Sequence, residues 1–150
     1  MPAAAAQKMT YEGVHRYAVD ANRRVQMPAV WREKKPVEFT MILWPQHDAG
    51  PCLRVLSPEE MEKLRAKIEA MPAAERTGLK RHIGSHSARM TLDGANRLGI
   101  PENLFVKSGI KDEAVFVGML DYFEMWPPDR HAAMDALEQP VVIRGLKLLE

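Results

Sequence analysis

The stretch Val19-Asp20-Ala21-Asn22-Arg23-Arg24-Val25-Gln26-Met27-Pro28 occurs a second time as Leu92-Asp93-Gly94-Ala95-Asn96-Arg97-Leu98-Gly99-Ile100-Pro101. The two copies align at one offset of 73 residues and share the pattern apolar-Asp-x-x-x-Arg-apolar-x-apolar-Pro. A repeat of this length indicates that one supersecondary unit is used twice, so we expect two similar halves.

Each copy is predicted to form the tip of a β-hairpin. Apolar residues alternate before Asp20 and again after the turn, at Val25 and Met27. An Asp at the start of a tight turn accepts hydrogen bonds from backbone N–H groups two or three residues later. The Arg four residues on can return to that carboxylate as a two-pronged ion pair. We therefore expect Asp20 and Asp93 to pair with Arg24 and Arg97.

The rest of the chain repeats the same order of elements. In each half a proline, Pro28 or Pro101, is placed to start a short helix, because its missing N–H costs nothing at the first helical position. Two strands and a longer helix follow, and Ser57 caps the longer helix of the first half. A second helix is predicted at 73–83, ended by Gly84. Residues 141–143 are left as either a short strand or an apolar tail that packs on a neighbour.

Length and composition limit the class of protein. A chain of 150 residues with 46% hydrophobic residues has enough apolar side chains for one core. Its apolar runs are too short to cross a bilayer. Residues 1–6 have no signal-peptide pattern, and residues 1–12 are expected to be a flexible tail. Cys52 is the only cysteine, which excludes a disulfide framework. We expect a cytoplasmic protein that does not contact membranes.

Charge is divided unevenly along a chain whose net charge is only +1. Residues 76–111 contain seven basic and two acidic residues, whereas residues 112–140 contain seven acidic residues and Arg130. Such blocks predict one basic and one acidic face, although ordinary solvated charge remains an equally good interpretation.

Catalytic and metal chemistry find little support in the sequence. His82 and His86 have the i, i+4 spacing of some zinc sites, but Gly84 between them predicts that the helix has ended. Cys52 lies in an apolar strand, where a cysteine is more often buried than reactive. No glycine-rich nucleotide motif is present. We therefore expect no metal, no cofactor, no small-molecule substrate and no enzymatic activity.

The twofold Asp-x-x-x-Arg motif with its apolar-Pro ending resembles the bacterial MraZ family, tandem relatives of the AbrB-type swapped-hairpin DNA-binding proteins. The resemblance runs from about residue 13 to residue 134. The family has glycine where this chain has Arg23 and Asn96. Asn adopts left-handed backbone fairly easily and Arg does so poorly. The first turn therefore either differs from the family's or holds Arg23 under strain.

The resemblance implies a fold of the α+β class, mainly β. It would be a pseudo-two-fold swapped-hairpin β-barrel built from two tandem AbrB-like halves, 13–83 and 84–150, with peripheral helices. It also implies a sequence-specific transcriptional regulator of the division and cell-wall gene cluster. Such a protein would bind direct repeats in double-stranded promoter DNA as a homo-oligomeric ring in the nucleoid.

DNA contact would fall on the arginines of the two hairpins. The resemblance places it at Arg24 and Arg97, and Arg23, Arg16 and Arg89 are further candidates for phosphate contact. Two alternatives remain open. One is a structural or interaction protein that kept the fold and lost DNA binding. The other is an antitoxin-like regulator whose C-terminal segment binds a partner protein.

Overall fold

The computed structural model describes residues 8–45 and 48–150. This part of the chain contains eight strands and four α-helices. The strands are β1 Val14–Ala18, β2 Arg24–Gln26, β3 Phe39–Trp44, β4 Cys52–Leu56, β5 Ser87–Met90, β6 Arg97–Gly99, β7 Glu113–Gly118 and β8 Phe123–Trp126. The helices are α1 Pro58–Glu69, α2 Ala73–Ser85, α3 Glu102–Ser108 and α4 Pro128–Leu148, with a short 3-10 helix at Ala29–Trp31.

The two halves interleave their strands. One sheet has six strands in the order β1-β7-β8-β4-β3-β5, and a second sheet pairs β2 with β6. The first strand of each half therefore pairs with the third strand of the other half. A pseudo-two-fold axis relates the two halves, because exchanging each strand for its counterpart in the other half reverses the strand order. This confirms the α+β class and the swapped arrangement. Within the described residues β1 and β5 remain the sheet's edges, so its hydrogen bonds do not close the barrel that we expected.

The core lies between the six-stranded sheet and the motif hairpins. Trp31, from the 3-10 helix, is 1% exposed, and its pseudo-symmetric counterpart Leu104 in α3 is also 1% exposed. Trp31 packs on Phe123 with ring centroids 5.2 Å apart and donates from Nε1 to the Glu12 carbonyl at 3.1 Å. Each half thus contributes a large side chain from its short helix to the same core.

Part of the predicted flexible tail, residues 8–12, is folded. Tyr11 is 2% exposed, packs edge-on against Trp31 and pairs through its backbone with Leu120. Gly118 allows this segment to pass, because a Cβ there would overlap the backbone of Tyr11. Residues 8–12 therefore belong to the folded body, and residues 1–7 lie outside the described part of the chain.

The opposite face of the six-stranded sheet is covered by helices. Strand side chains alternate between faces, so Ile42 faces away from Met41 and packs against Ile68 of α1 and Ile83 of α2. Met134 of α4 covers Trp126 and its neighbours on the same face. Helices α1 and α2 cover this face in the first half of the chain, and α4 covers it in the second half.

The helix boundaries follow local chemistry, but two sequence predictions are corrected by the structure. Ser57 accepts a hydrogen bond from the Glu60 N–H at 3.4 Å and so begins α1, and Gly109 at φ +78° ends α3. However, α2 continues through Gly84 to Ser85, because a glycine without a left-handed backbone does not end a helix. Residues 141–143 lie inside α4, so the strand alternative was wrong.

Candidate nucleic-acid interface

The two motif turns have the same hydrogen bonds. In the first copy, Asp20 Oδ1 accepts from the backbone N–H of Asn22 at 2.8 Å and of Arg24 at 2.9 Å. In the second copy, Asp93 Oδ1 makes the two equivalent bonds, both at 2.9 Å. The bond from the residue two positions later was predicted, whereas the second bond comes from the residue four positions later and not three.

Pairing between β2 and β6 brings the two turns to opposite ends of one short ladder. Val25 lies opposite Leu98, and both are fully buried. Further backbone bonds extend the contact at both ends, from Ile100 N–H to the Arg23 carbonyl and from Met27 N–H to the Asn96 carbonyl, each 2.9 Å. The two motifs therefore form one surface although they lie in different halves of the chain.

The four charged motif residues form a network across this ladder. Arg97 donates from Nε to Asp93 Oδ2 of its own turn at 2.9 Å, whereas the corresponding Arg24–Asp20 separation is 3.9 Å. Each arginine also reaches the other half: Arg24 Nη1 lies 3.3 Å from Asp93 Oδ2, and Arg97 Nη1 lies 3.5 Å from Asp20 Oδ2. The sequence motif predicted the pairs within each turn but not these crossed pairs.

The carboxylates of the network stay ionised far below neutral pH. The backbone N–H of Arg97, helped by that of Ala95 and by both guanidinium groups, lowers the pKa of Asp93 to about 2. The pKa of Asp20 is lowered too, mainly by its hydrogen bond from the Arg24 backbone. The network is therefore permanently charged at neutral pH, with two negative and two positive groups.

Arg24 and Arg97 are held in place but remain accessible. Each side chain is 35% exposed. A guanidinium has five N–H donors in a fixed plane, and the carboxylates occupy only some of them. The remaining donors are available to an anion or to a base edge, which are the ligands that a planar fork of donors binds best.

Arg23 is positioned differently from its neighbour. Its backbone is left-handed at φ +59°, and Asn96 in the second copy has φ +61°. The strained alternative that the sequence left open is therefore the one present. Arg23 also donates from Nε to the Ile100 carbonyl at 3.0 Å, which holds its side chain against the opposite hairpin.

Arg16 and Arg89 are pseudo-symmetric partners on the two edge strands. Arg16 in β1 makes a two-pronged pair with Glu113, with its Nε 2.7 Å from Oε2, and Arg89 in β5 lies 3.7 Å from Glu38. Their side chains are 58% and 76% exposed. The structure thus places them outside the four-residue network, with half or more of each side chain in solvent.

A cleft beside the second turn adds basic side chains that the motif did not single out. It has a volume of about 200 Å³, and Lys34 and Lys35 line it together with Asp93 and Asn96. The adjacent lysines in the loop after the first motif can be recognised in the sequence as a basic site. Its position beside the second motif depends on the interleaving of the halves.

In the structure, His82 and His86 stack on each other and lie within hydrogen-bonding distance of backbone carbonyls. Their rings stack with centroids 4.5 Å apart, because α2 continues past Gly84. His82 Nε2 bonds the Leu43 carbonyl at 3.0 Å, and His86 Nδ1 lies 2.9 Å from the His82 carbonyl. Among residues 8–45 and 48–150, no three His, Cys, Asp or Glu side chains come together as a metal site.

Interleaved halves that each carry one Asp-x-x-x-Arg turn define a tandem swapped-hairpin protein. The family model described as "MraZ protein, putative antitoxin-like" matches residues 84–140. A relative named Transcriptional regulator MraZ, from Leptothrix cholodnii, is 31% identical over 134 residues, which are 87% of this chain and 90% of the relative. Relatives of the same name from Pseudomonas putida and Pseudomonas fluorescens are 29% and 28% identical, each over 85% of this chain and 87% of their own length. The chain belongs to the MraZ family.

In the described ranges, 8–45 and 48–150, no helix is both long and apolar enough to cross a membrane.

Proposed function

We propose that this chain is a sequence-specific DNA-binding transcriptional regulator that recognises direct repeats in the promoter of the division and cell-wall gene cluster. The observation that carries the proposal is the pair Arg24 and Arg97, held by crossed ion pairs on one ladder with each side chain 35% exposed. The name of the relatives, Transcriptional regulator MraZ, supports the regulatory role.

Arginine geometry supports base recognition by this pair. A guanidinium donates two parallel hydrogen bonds to the O6 and N7 atoms of guanine, and it also pairs well with phosphate. Asp20 and Asp93 already restrict the two side chains, so less conformational freedom is lost on binding. Arg23, Arg16 and Arg89 would contact phosphates, which position a protein on DNA without reading its sequence.

Oligomerisation would compensate for the small net charge of one subunit. A charge of +1 provides weak general attraction to DNA. A closed ring formed by head-to-tail contacts would present several hairpin ladders to successive repeats. Linking the binding events raises the overall affinity without any new contact, which explains why direct repeats would be the preferred target.

Of the two alternatives, the antitoxin-like regulator makes a prediction about the C-terminal segment. A disordered partner-binding tail would be long and polar. Residues 128–148 instead form a single helix with several exposed apolar side chains. Loss of DNA binding with retention of the fold is the alternative that the following experiment tests.

The experiment measures binding to DNA just upstream of the chain's own gene against shuffled DNA of equal length, at two salt concentrations. The variants are Arg24→Ala/Arg97→Ala and Arg24→Lys/Arg97→Lys. The control, Arg65→Ala/Lys67→Ala, removes two exposed charges from α1. We expect the Ala variant to lose both affinity and preference, the Lys variant to lose mainly preference, and the control to keep its preference.

A change in folding must be separated from a change in recognition. Each variant is therefore unfolded in urea, and only variants that are folded under the binding conditions are compared. Unchanged preference for the upstream DNA in a folded Arg24→Ala/Arg97→Ala variant contradicts the proposal and leaves the Asp–Arg network as a structural element.

A further inference from the structure

The C-terminal part of α4 is exposed along its whole length. All residues from 135 to 150 are exposed, although α4 continues without interruption to Leu148. Large apolar side chains are frequent in this segment: Leu137, Val141, Val142, Ile143, Leu146, Leu148 and Leu149 are 41–88% exposed. Monomeric proteins rarely expose contiguous apolar surface larger than a few hundred Å².

One stripe of α4 runs from the core into this exposed segment. Met134 is 7% exposed and packs on the sheet, whereas Leu137, Val141 and Leu148 on the same helix face are 55%, 59% and 88% exposed. These positions share a face because they are separated by multiples of three and four residues. Gly145 continues the stripe, and a Cβ added there would meet open space.

The first half of the chain shows how an equivalent stripe is covered. Helix α1 follows β4 as α4 follows β8, and its apolar residues Leu64 and Ile68 pack with Leu79 and Ile83 of α2. Within residues 8–45 and 48–150, no helix covers Leu137 and Val141 in the same way. An isolated short helix is also only marginally stable in water, so a projecting helix gains from a packing partner.

The spacing of the stripe indicates which partner fits. We infer that α4 packs against α4 of a second copy of this chain as an antiparallel pair centred on Val141. The intervals from Met134 through Leu137, Val141 and Gly145 to Leu148 are three, four, four and three residues. Reversing the helix about Val141 therefore places Leu137 opposite Gly145, where the absent side chain leaves room for the leucine.

The charges are compatible with a contact between identical copies. The stripe contains no charged residue, and the helical segment that it spans, from 134 to 148, has two acidic and two basic residues, so two copies meet without net repulsion. The symmetry is of the isologous kind, in which the same patch is used by both partners. It therefore differs from the head-to-tail contact of the proposed ring, and it can be tested without DNA and without knowing the ring size.

The first test compares the molar masses of the full chain and two variants by light scattering or sedimentation velocity. Val141→Asp places a charge at the centre of the pair, and the matched control Val106→Asp changes a valine of α3 that is 69% exposed. Because each α4 pair joins two copies, Val141→Asp should halve the molar mass, whereas Val106→Asp should leave it unchanged. A monomeric wild type, or an unchanged mass for Val141→Asp, overturns the inference.

The second test uses disulfide formation to check the register. Residue 141 faces its own counterpart across the two-fold axis of the pair, so Val141→Cys should form a cross-linked dimer on mild oxidation. Ile143→Cys lies about half a turn away and should not cross-link. Cys52 is 2% exposed, so the wild type serves as the background control. Equal cross-linking at both positions, or none at 141, overturns the antiparallel pair even if Val141→Asp lowers the mass through another contact.

Discussion

Arg24 donates from Nη1 to Asp93 Oδ2 at 3.3 Å, although the two residues are 69 positions apart in the chain. The reciprocal pair, Arg97 with Asp20, has a distance of 3.5 Å. Each repeat thus uses its aspartate to shape its own turn and to hold the arginine of the other repeat. The network joins the two halves at the surface that we propose for DNA, so orientation of the arginines depends on correct interleaving.

The first prediction concerns the pH dependence of stability. The pKa of Asp93 is about 2 in the folded protein, below the value of about 3.9 for an unperturbed Asp. Ionised Asp93 therefore stabilises the fold fully above about pH 4, and this contribution is lost as the pH falls toward 2. Urea midpoints measured from pH 2 to pH 7 should decrease with acid more steeply for the wild type than for Asp93→Asn. Parallel curves for the two proteins would contradict the role of Asp93.

The second prediction concerns the left-handed backbone at Arg23. Arg23→Ala keeps the unfavourable φ of +59° and loses the hydrogen bond to the Ile100 carbonyl, so we expect it to lower the free energy of unfolding by about 1–2 kcal/mol. Arg23→Gly loses the same bond but relieves the backbone, and it should be about 1 kcal/mol more stable than Arg23→Ala. Equilibrium unfolding in urea measures both. Equal stability of the two variants would show that the backbone at this position is not strained.

The third prediction compares the effects on stability of alanine substitutions at two glycines. Gly118→Ala should lower the free energy of unfolding by about 1–3 kcal/mol, because its Cβ would overlap the backbone of Tyr11. In contrast, Gly84→Ala adds a Cβ in open space inside α2 and should raise stability by up to about 1 kcal/mol. Thermal unfolding of both variants checks the pair. If Gly118→Ala is as stable as the wild type, residues 8–12 are not packed as described.

The fourth prediction concerns the two edge-strand arginines. If Arg16 and Arg89 contact phosphates, Arg16→Ala and Arg89→Ala should each weaken binding to upstream and shuffled DNA by the same factor. Each should also lower the slope of log affinity against log salt by about 1. Arg65→Ala, at an exposed position of α1, is the control and should not change the slope. A loss confined to the upstream DNA would instead assign these arginines to base recognition.

Several elements could be predicted because their chemistry is local. Strands Phe39–Trp44 and Cys52–Leu56 follow from compact apolar runs, and α1 begins at its Ser57 cap. The end of α2 could not be predicted from Gly84, since a glycine ends a helix only when its backbone turns left-handed, as at Gly109. The length of α4 was missed as well, because Pro140 and the apolar residues after it are also typical of a broken element.

The amino-acid sequence by itself determined the two hairpin turns, since each motif Asp accepts hydrogen bonds from backbone N–H groups two and four residues later. It also determined the doubled architecture, because the repeat is visible without any structure. Only the tertiary structure decided that β2 pairs with β6 and that Arg24 reaches Asp93. The physical reason is that strand pairing between halves depends on burying Val25, Leu98 and Trp31 in one shared core, which is a property of both halves together.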